Sequence, residues 1–237
     1  MKRFYKDVAT GPALTGDGFA ILLDGRPVRT PGKEPMVAPT KALADAIAAE
    51  WAAQDDAIKT DTMPLTQLLT TRIDRTANRA DIEAELFKYL DSDLLCYRAE
   101  SLADEQEALW GPWLLWFKEK YGHTLETTFG LTRLDQPQAA HDAMRKTVRA
   151  MDIDVFTAFQ IASAITGSIV LGLALAEGAL SPDEAWKATL CEELHYERTH
   201  DLEKHGLDPI EEKRRKGLRR DLEACAAYIK LVKSTTI

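Results

Sequence analysis

The stretch from residue 155 to residue 176 contains no charged side chain, and this feature limits the possible folds most strongly. Its letters, VFTAFQIASAITGSIVLGLALA, are enough to cross a bilayer as one helix. However, hydroxyl and amide side chains and two glycines interrupt the apolar residues. We therefore predict a buried central helix, and a membrane-attached protein remains the alternative.

The composition is that of an ordinary globular protein, with 237 residues of which 45% are hydrophobic. A formal net charge of −8 argues against general binding of nucleic acid or of anionic membranes. Three cysteines, odd in number and far apart, fit neither a disulfide framework nor a zinc site. The first residues, MKRFYKDVAT, lack the apolar run of a secretory signal, so we expect either a bacterial cytoplasm or a mature form of a processed protein.

The first forty residues carry most of the turn signals. Residues 19–23 are typical of a strand, Asp24-Gly25 of a hairpin turn, and Val28 of the returning strand. Helical spacing begins after Thr40, a candidate N-cap. The sequence therefore predicts an α+β fold. A small N-terminal β-rich α+β domain, with β-hairpins and short helices, covers residues 1–85, and a larger all-α domain covers residues 86–237.

Two local signals predict helix boundaries in the second half of the chain. Gly111-Pro112 should break the helix of QEALWGPWLLWFKEKYG into two pieces. Ser181-Pro182, followed by Glu184, has the pattern of a capping box at a helix start.

The segment DSDLLCYR, residues 91–98, concentrates reactive side chains. A nucleophilic Cys96 would need a histidine base, and none is close in sequence. We interpret the segment as a structural signature in which Asp91, Asp93 and Arg98 exchange hydrogen bonds at a helix end. Cys96 would then be a small buried filler.

The segment CEELHYERTHDLEKH contains two Glu-x-x-His pairs, which is the spacing of di-iron carboxylate sites. Both pairs lie on one helix, roughly 140° apart, and cannot converge on one metal. We therefore expect a charged, solvated helix with neither metal nor cofactor. The basic cluster that follows is interpreted in the same way; it comprises Lys213, Arg214, Arg215, Lys216, Arg219 and Arg220.

Nucleotide-binding motifs are absent, since the sequence has neither a P-loop nor a G-x-G-x-x-G turn after a strand. This favours a binding protein over an enzyme. The alternative is a small-molecule enzyme that uses acidic residues near 91–98 or 192–200, and a deep pocket around them would favour it.

Five blocks together resemble one family of assembly chaperones. In chain order they are GRPVRTPGKEP, MPLTQLLTTRIDR, YLDSDLLCYRAE, LWGPWLLWFKEKYG and GSIVLGLALAEGALSPDEAW. They are similar to the ATP-twelve chaperones of the F-type ATP synthase, in family order over nearly the whole chain. The resemblance implies a chaperone, not an enzyme, that binds the α subunit of the catalytic head before assembly and prevents its aggregation.

The resemblance also implies a small α+β domain followed by a helical one. It favours the cytoplasmic α-proteobacterial branch, whose eukaryotic relatives work in the mitochondrial matrix. We expect a monomer whose partner is the ATP synthase α subunit, with no nucleic acid and no stable membrane insertion.

One block departs from the family pattern. The family has Asp-Glu, then a Gln, then Trp-Gly; here Glu192-Glu193 matches the acids, Tyr196 replaces the Gln, and His200-Asp201 replaces Trp-Gly. Because an acid of this block matters for the family's function, the resemblance implies that Glu193, or its neighbour Glu192, contacts the partner. We expect further acidic groups of the C-terminal helices to contribute, and we include Glu197 with these two as a partner-binding residue.

Overall fold

The structure is a computed structural model and describes residues 1–14, 16–199 and 208–234. The strands are β1 (Val8–Pro12), β2 (Phe19–Leu23), β3 (Arg26–Pro27), β4 (Val37–Ala38), β5 (Tyr97–Arg98) and β6 (Thr128–Phe129). The helices are α1 (Lys41–Ala52), α2 (Pro64–Asp74), α3 (Arg79–Leu86), α4 (Ala103–Tyr121), α5 (Gln138–Ala150), α6 (Ile153–Thr166), α7 (Ile169–Glu177), α8 (Pro182–Thr189), α9 (Cys191–Thr199) and α10 (Pro209–Val232). The predicted α+β class is confirmed.

The N-terminal sheet is built around β2, which pairs antiparallel with β1, β3 and β4. The β2–β3 turn has φ of 47° at Asp24 and 76° at Gly25. Positive φ at both central residues is what a tight hairpin turn requires, so the predicted hairpin is confirmed. The return strand begins at Arg26, two residues before Val28, the residue that the sequence indicated.

The first compact unit comprises Met1–Arg79, Ile153–Ala158 and the chain from Ala224 onward. Helix α1 begins at the predicted cap, where Leu43 N–H donates to Thr40 Oγ1, and its buried face packs on the sheet. Asp154 ties the three stretches together, because its Oδ1 accepts from Tyr228 Oη at 2.8 Å and lies 3.3 Å from Arg72 Nε. The division into domains at residues 85 and 86 stays a prediction.

The second compact unit comprises Ala80–Asp152 and Phe159–Glu223. Its centre is α7, in which every residue from Ile169 to Ala176 is buried. Trp110 of α4 is fully buried and its indole N–H donates to Ala188 O at 2.8 Å. Helix α8 starts with the predicted capping box.

The uncharged stretch forms two helices, and the prediction of one central helix is wrong. Helix α6 ends at Thr166, Gly167 has φ of 65°, and Ser168 caps α7 by accepting from Leu171 N–H. Glycine adopts positive φ without the steric cost that a Cβ atom would cause, so α6 can end here. Ser168 then caps the start of the next helix. Most of the stretch is buried, as predicted, although Ala164 is exposed. Within the described residues, no helix combines the length and hydropathy that a membrane span needs.

The expected break at Gly111-Pro112 is also wrong, because α4 runs from Ala103 to Tyr121 with Pro112 inside it. Pro112 lies on the exposed face, where water can replace a missing helical hydrogen bond. Trp110 and Phe117, both fully buried, fix the helix on either side of the proline.

Candidate functional site

Asp93 is buried completely and receives hydrogen bonds at the start of α7. Its carboxylate accepts from Leu95 N–H at 3.0 Å and from Val170 N–H at 3.1 Å, and also bonds to Ser168 and Ile169. Burial raises the pKa of Asp93 to about 6, and these hydrogen bonds oppose that rise. The side chain therefore satisfies backbone donors at a helix N-terminus that water cannot reach.

Asp91 and Arg98 bond elsewhere, so the expectation that the three side chains exchange hydrogen bonds is wrong. Asp91 Oδ1 accepts from Gln136 N–H at 2.9 Å and lies 2.9 Å from His141 Nε2. Arg98 is buried and its Nε–H donates to Leu95 O at 3.1 Å. The reason is geometric: the chain turns at residues 91–93, so these side chains leave in different directions. The role of the segment as a structural signature stays a prediction.

The cysteine thiols are poor candidates for nucleophiles. Cys96 and Cys191 are both fully buried. Burial raises the pKa of Cys191 to about 11 and raises the pKa of Cys96 still further. A thiol in such surroundings stays protonated at neutral pH and is chemically inert.

The three predicted partner-binding glutamates lie on α9 in three different environments. Glu192 is exposed, and its Oε1 accepts from the amide of Gln106 at 2.8 Å. Glu193 is half-exposed and lies 3.3 Å from Arg214. Glu197 is mostly buried and pairs with the buried Arg215 at 2.7 Å.

The same helix borders an open cleft of about 870 Å³. All three glutamates line it, together with residues of α10 and of the turn before α4. Its remaining lining residues are Leu94, Ser101, Leu102, Thr189, His195, Tyr196, Thr199, Glu211, Arg214 and Arg215. Tyr196, which stands where the family has a Gln, is 55% exposed. The cleft therefore brings an acidic surface next to an exposed aromatic ring.

The first Glu-x-x-His pair does not form a metal site. His195 Nδ1 lies 2.6 Å from Glu105, which also pairs with Arg198, whereas Glu192 bonds to Gln106. Among the residues that the structure describes, no group of three or more His, Cys, Asp or Glu could hold a metal ion. His200 and Asp201 lie outside the described residues, so the second pair and the Trp-Gly replacement have no structural description.

The basic cluster is engaged in ion pairs along α10. Arg214 and Arg215 both bond to Glu211, whose pKa they lower to about 2, and Arg219 bonds to Asp183 at 2.6 Å. The predicted charged helix face is therefore present, although Arg215 is buried rather than solvated.

The residues that the sequence analysis missed are Gln106 and Glu105 on α4. Gln106 is fully buried; its side chain accepts from Ala99 N–H and donates to Glu192, so it fixes the direction of that carboxylate. No local pattern reveals this role, because Gln106 and Glu192 are 86 residues apart.

Comparison with known proteins agrees with the fold. The family model of the ATP12 chaperone protein matches residues 2–118, which do not include α9. The crystal structure of Atp12 from Paracoccus denitrificans has 31% identity and a TM-score of 0.84, with 98% of each chain covered. A mutant of Atp12p from P. denitrificans has the same identity and coverage and a TM-score of 0.83.

A third structure, the Atu1473 protein of Agrobacterium tumefaciens, was assigned as a candidate chaperone. It has 35% identity and a TM-score of 0.85, covering 98% of this chain and 86% of its own. The chain belongs to the ATP12 chaperone family. The predicted family is therefore confirmed. Membership of this family supports a chaperone role with a protein partner in ATP synthase assembly.

Proposed function

We propose that this chaperone binds the unassembled α subunit of the F-type ATP synthase catalytic head and prevents its aggregation. The binding surface is the cleft beside α9, and Glu192 is its principal charged contact. The chaperone holds the surface that the α subunit later presents to the β subunit, so it needs a complementary surface and no catalytic group.

The proposal rests on the hydrogen bonding and the charge of Glu192. Its carboxylate is held in one direction by Gln106, yet no cation pairs with it among the described residues. An exposed charge that is already oriented loses little conformational entropy when a basic group of a partner reaches it. Tyr196 beside it supplies the kind of aromatic ring that is enriched at interface centres.

The other two glutamates have different parts in this proposal. Glu193 can exchange its long contact with Arg214 for a partner's cation, because both side chains are nearly half exposed. Glu197 is a positioning residue, since its ion pair with the buried Arg215 joins α9 to α10. Removing Glu197 would leave Glu211 as the remaining acidic partner of the buried Arg215 and would remove the ion pair between the two helices.

The test is suppression of α-subunit aggregation by the Glu192→Gln variant. Glutamine keeps the carbonyl oxygen that Gln106 needs but removes the charge, so the thermal midpoint should stay unchanged. Light scattering of α subunit diluted from denaturant should then show an affinity about 10-fold weaker than that of the wild type. The matched control is Glu119→Gln, at an exposed glutamate of α4, which should behave as the wild type.

Equal suppression by Glu192→Gln and the wild type would contradict the role of Glu192. If the wild type itself fails to suppress aggregation, the α subunit is not the client. The affinities should be measured at 50 and 300 mM salt, because an interfacial ion pair weakens with ionic strength.

The second candidate function is a small-molecule enzyme, and the cleft around residues 192–199 favours it. Its acids, however, are bonded to Gln106, Arg214 and Arg215 rather than directed at a nucleophile. We therefore propose a non-enzymatic, monomeric chaperone of the bacterial cytoplasm that uses no cofactor. A metabolite that raises the thermal midpoint, and loses this effect in Glu192→Gln, would reverse the order of the two candidates.

A further inference from the structure

The segment between α4 and α5 presents two large apolar side chains to solvent. Phe129 is 56% exposed and Leu131 is 98% exposed, and the residues around them are exposed as well. Gly130 between them has φ of 81°, so the chain turns at this point and places both side chains at the outer end of the segment. We call Phe129, Gly130 and Leu131 the apolar tip.

The start of the segment is fixed to the DSDLLCYR region by a short parallel sheet. Strand β6, which contains Phe129, pairs with β5, so that Tyr97 lies opposite Thr128 and Arg98 opposite Phe129. Gly130 N–H continues the pairing and donates to Arg98 O at 3.0 Å. Phe129 therefore points outward from a backbone that is already hydrogen-bonded.

The end of the segment is fixed to the same region by side chains. Leu134 N–H donates to Tyr97 Oη at 3.3 Å, and Gln136 N–H donates to Asp91 Oδ1 at 2.9 Å. The amide of Gln136 also closes the segment on itself, because it bonds to both N–H and C=O of Glu126 at 2.8 and 2.9 Å. Both ends of the tip are thus held by residues 91–98.

This arrangement has an energetic consequence for binding. A flexible loop must be ordered when it meets a partner, whereas a tip whose ends are already hydrogen-bonded avoids much of that cost. Two neighbouring exposed apolar side chains are unfavourably hydrated. Binding becomes more favourable when a partner covers them and removes their apolar surface from water. The tip therefore has the properties of a preorganised contact.

The charges around the tip indicate an apolar partner surface. The tip itself is uncharged, and the cation nearest to it in the sequence, Arg133, is paired with Asp135 at 3.2 Å, whereas Arg98, opposite Phe129, is buried. A locally neutral surface favours apolar over strongly charged partners. An unassembled subunit exposes apolar surface that its neighbour later buries, and this is the chemistry that a chaperone meets.

We propose that the apolar tip is a second contact with the client, separate in the sequence from α9, and that it covers apolar surface of the unassembled α subunit. This inference rests on the proposed function. It also gives residues 91–98 a functional consequence, because they hold the tip in place. Tip and acidic helix then supply one apolar and one charged contact to the same client.

The experiment compares two double variants for binding to purified α subunit by biolayer interferometry. Phe129→Ser/Leu131→Ser removes the tip, and we expect an affinity at least about 10-fold weaker than that of the wild type. Leu14→Ser/Leu115→Ser is the control, because it removes two side chains that are 86% and 53% exposed elsewhere on the chain. All four positions are exposed, so both variants should fold with the wild-type circular dichroism spectrum and thermal midpoint.

The possible results separate the two proposals. Wild-type binding that only the tip variant weakens supports the inference. If the wild type binds and the tip variant binds equally well, the tip is not a contact. The same conclusion follows if the control variant loses as much affinity as the tip variant. Both results leave the proposed function unchanged. No binding by the wild type overturns both. A wild-type dimer that the tip variant turns into a monomer in multi-angle light scattering overturns the inference, since the tip would then bind a second copy.

Discussion

Replacement of Asp93 tests how far the core depends on one buried carboxylate. Asp93→Ala leaves the N–H groups of Leu95 and Val170 without their acceptor in a region that water does not reach. A buried donor without a partner costs about 1–3 kcal/mol, so Leu95 and Val170 predict a loss of about 2–6 kcal/mol before the bonds to Ser168 and Ile169 are considered. Asp142→Ala, at a carboxylate that is 64% exposed, is the control and should change stability by less than about 0.5 kcal/mol.

The pH dependence of that loss follows from the pKa of Asp93. The folded chain holds the proton more tightly than the unfolded chain, because the pKa rises from 3.8 to about 6 on folding. Unfolding therefore releases this proton between pH 4 and 6, and the free energy of unfolding falls as the pH rises through that window. The full effect is about 3 kcal/mol, of which about 1 kcal/mol falls between pH 5.0 and 7.5.

The assay is urea unfolding of the wild type, Asp93→Ala and Asp93→Asn at pH 5.0 and 7.5. Both variants lack the titrating group, so the advantage of the wild type over each should shrink by about 1 kcal/mol at the higher pH. Asp93→Asn should be less damaging than Asp93→Ala, since its carbonyl oxygen still accepts one bond. A loss below about 1 kcal/mol for Asp93→Ala at pH 5.0, or an advantage that grows with pH, would refute this reasoning.

Three further substitutions test the packing. Cys96→Ala should leave affinity for the α subunit unchanged within twofold, because its thiol is buried and protonated; a folded variant that does not bind would show that the thiol has a function. Ser181→Ala removes the cap that accepts from Glu184 N–H and should lower the free energy of unfolding by about 1 kcal/mol in urea titration. Gly172→Ala places a methyl group 2.0 Å from Ser163 Oγ and should cost about 1–3 kcal/mol, part of which Ser163→Gly restores; no measurable cost would show that α6 and α7 can separate locally.

The elements that the sequence predicted well are those whose signals are local. The Asp24-Gly25 hairpin, the Thr40 cap and the capping box at Ser181 each depend on residues within four positions of one another. Their hydrogen bonds form between neighbouring residues and do not require contacts with distant parts of the chain. Local sequence signals therefore predicted these boundaries. At Pro112 the local signal was misleading, because the buried side chains of Trp110 and Phe117 stabilise one continuous helix through tertiary packing.

The candidate site depends on contacts between residues that are far apart in the sequence. Asp91 bonds to Gln136 and Asp93 to Val170, which are 45 and 77 residues away, so their partners could not be read from the neighbourhood of the motif. The choice of Glu192 and Glu193 came from the resemblance alone. The structure adds Gln106, which orients Glu192, and the burial that distinguishes Glu197 from the other two.

The central claim is that the client is the isolated α subunit, bound at the surface that the β subunit later covers. The most direct measurement is size-exclusion chromatography with multi-angle light scattering of the purified chain mixed with isolated α subunit, isolated β subunit or the assembled catalytic head. We predict a one-to-one complex with the α subunit that added β subunit displaces, and no complex with the other two. Absence of an α-subunit complex, or binding to the assembled head with similar affinity, would contradict the claim.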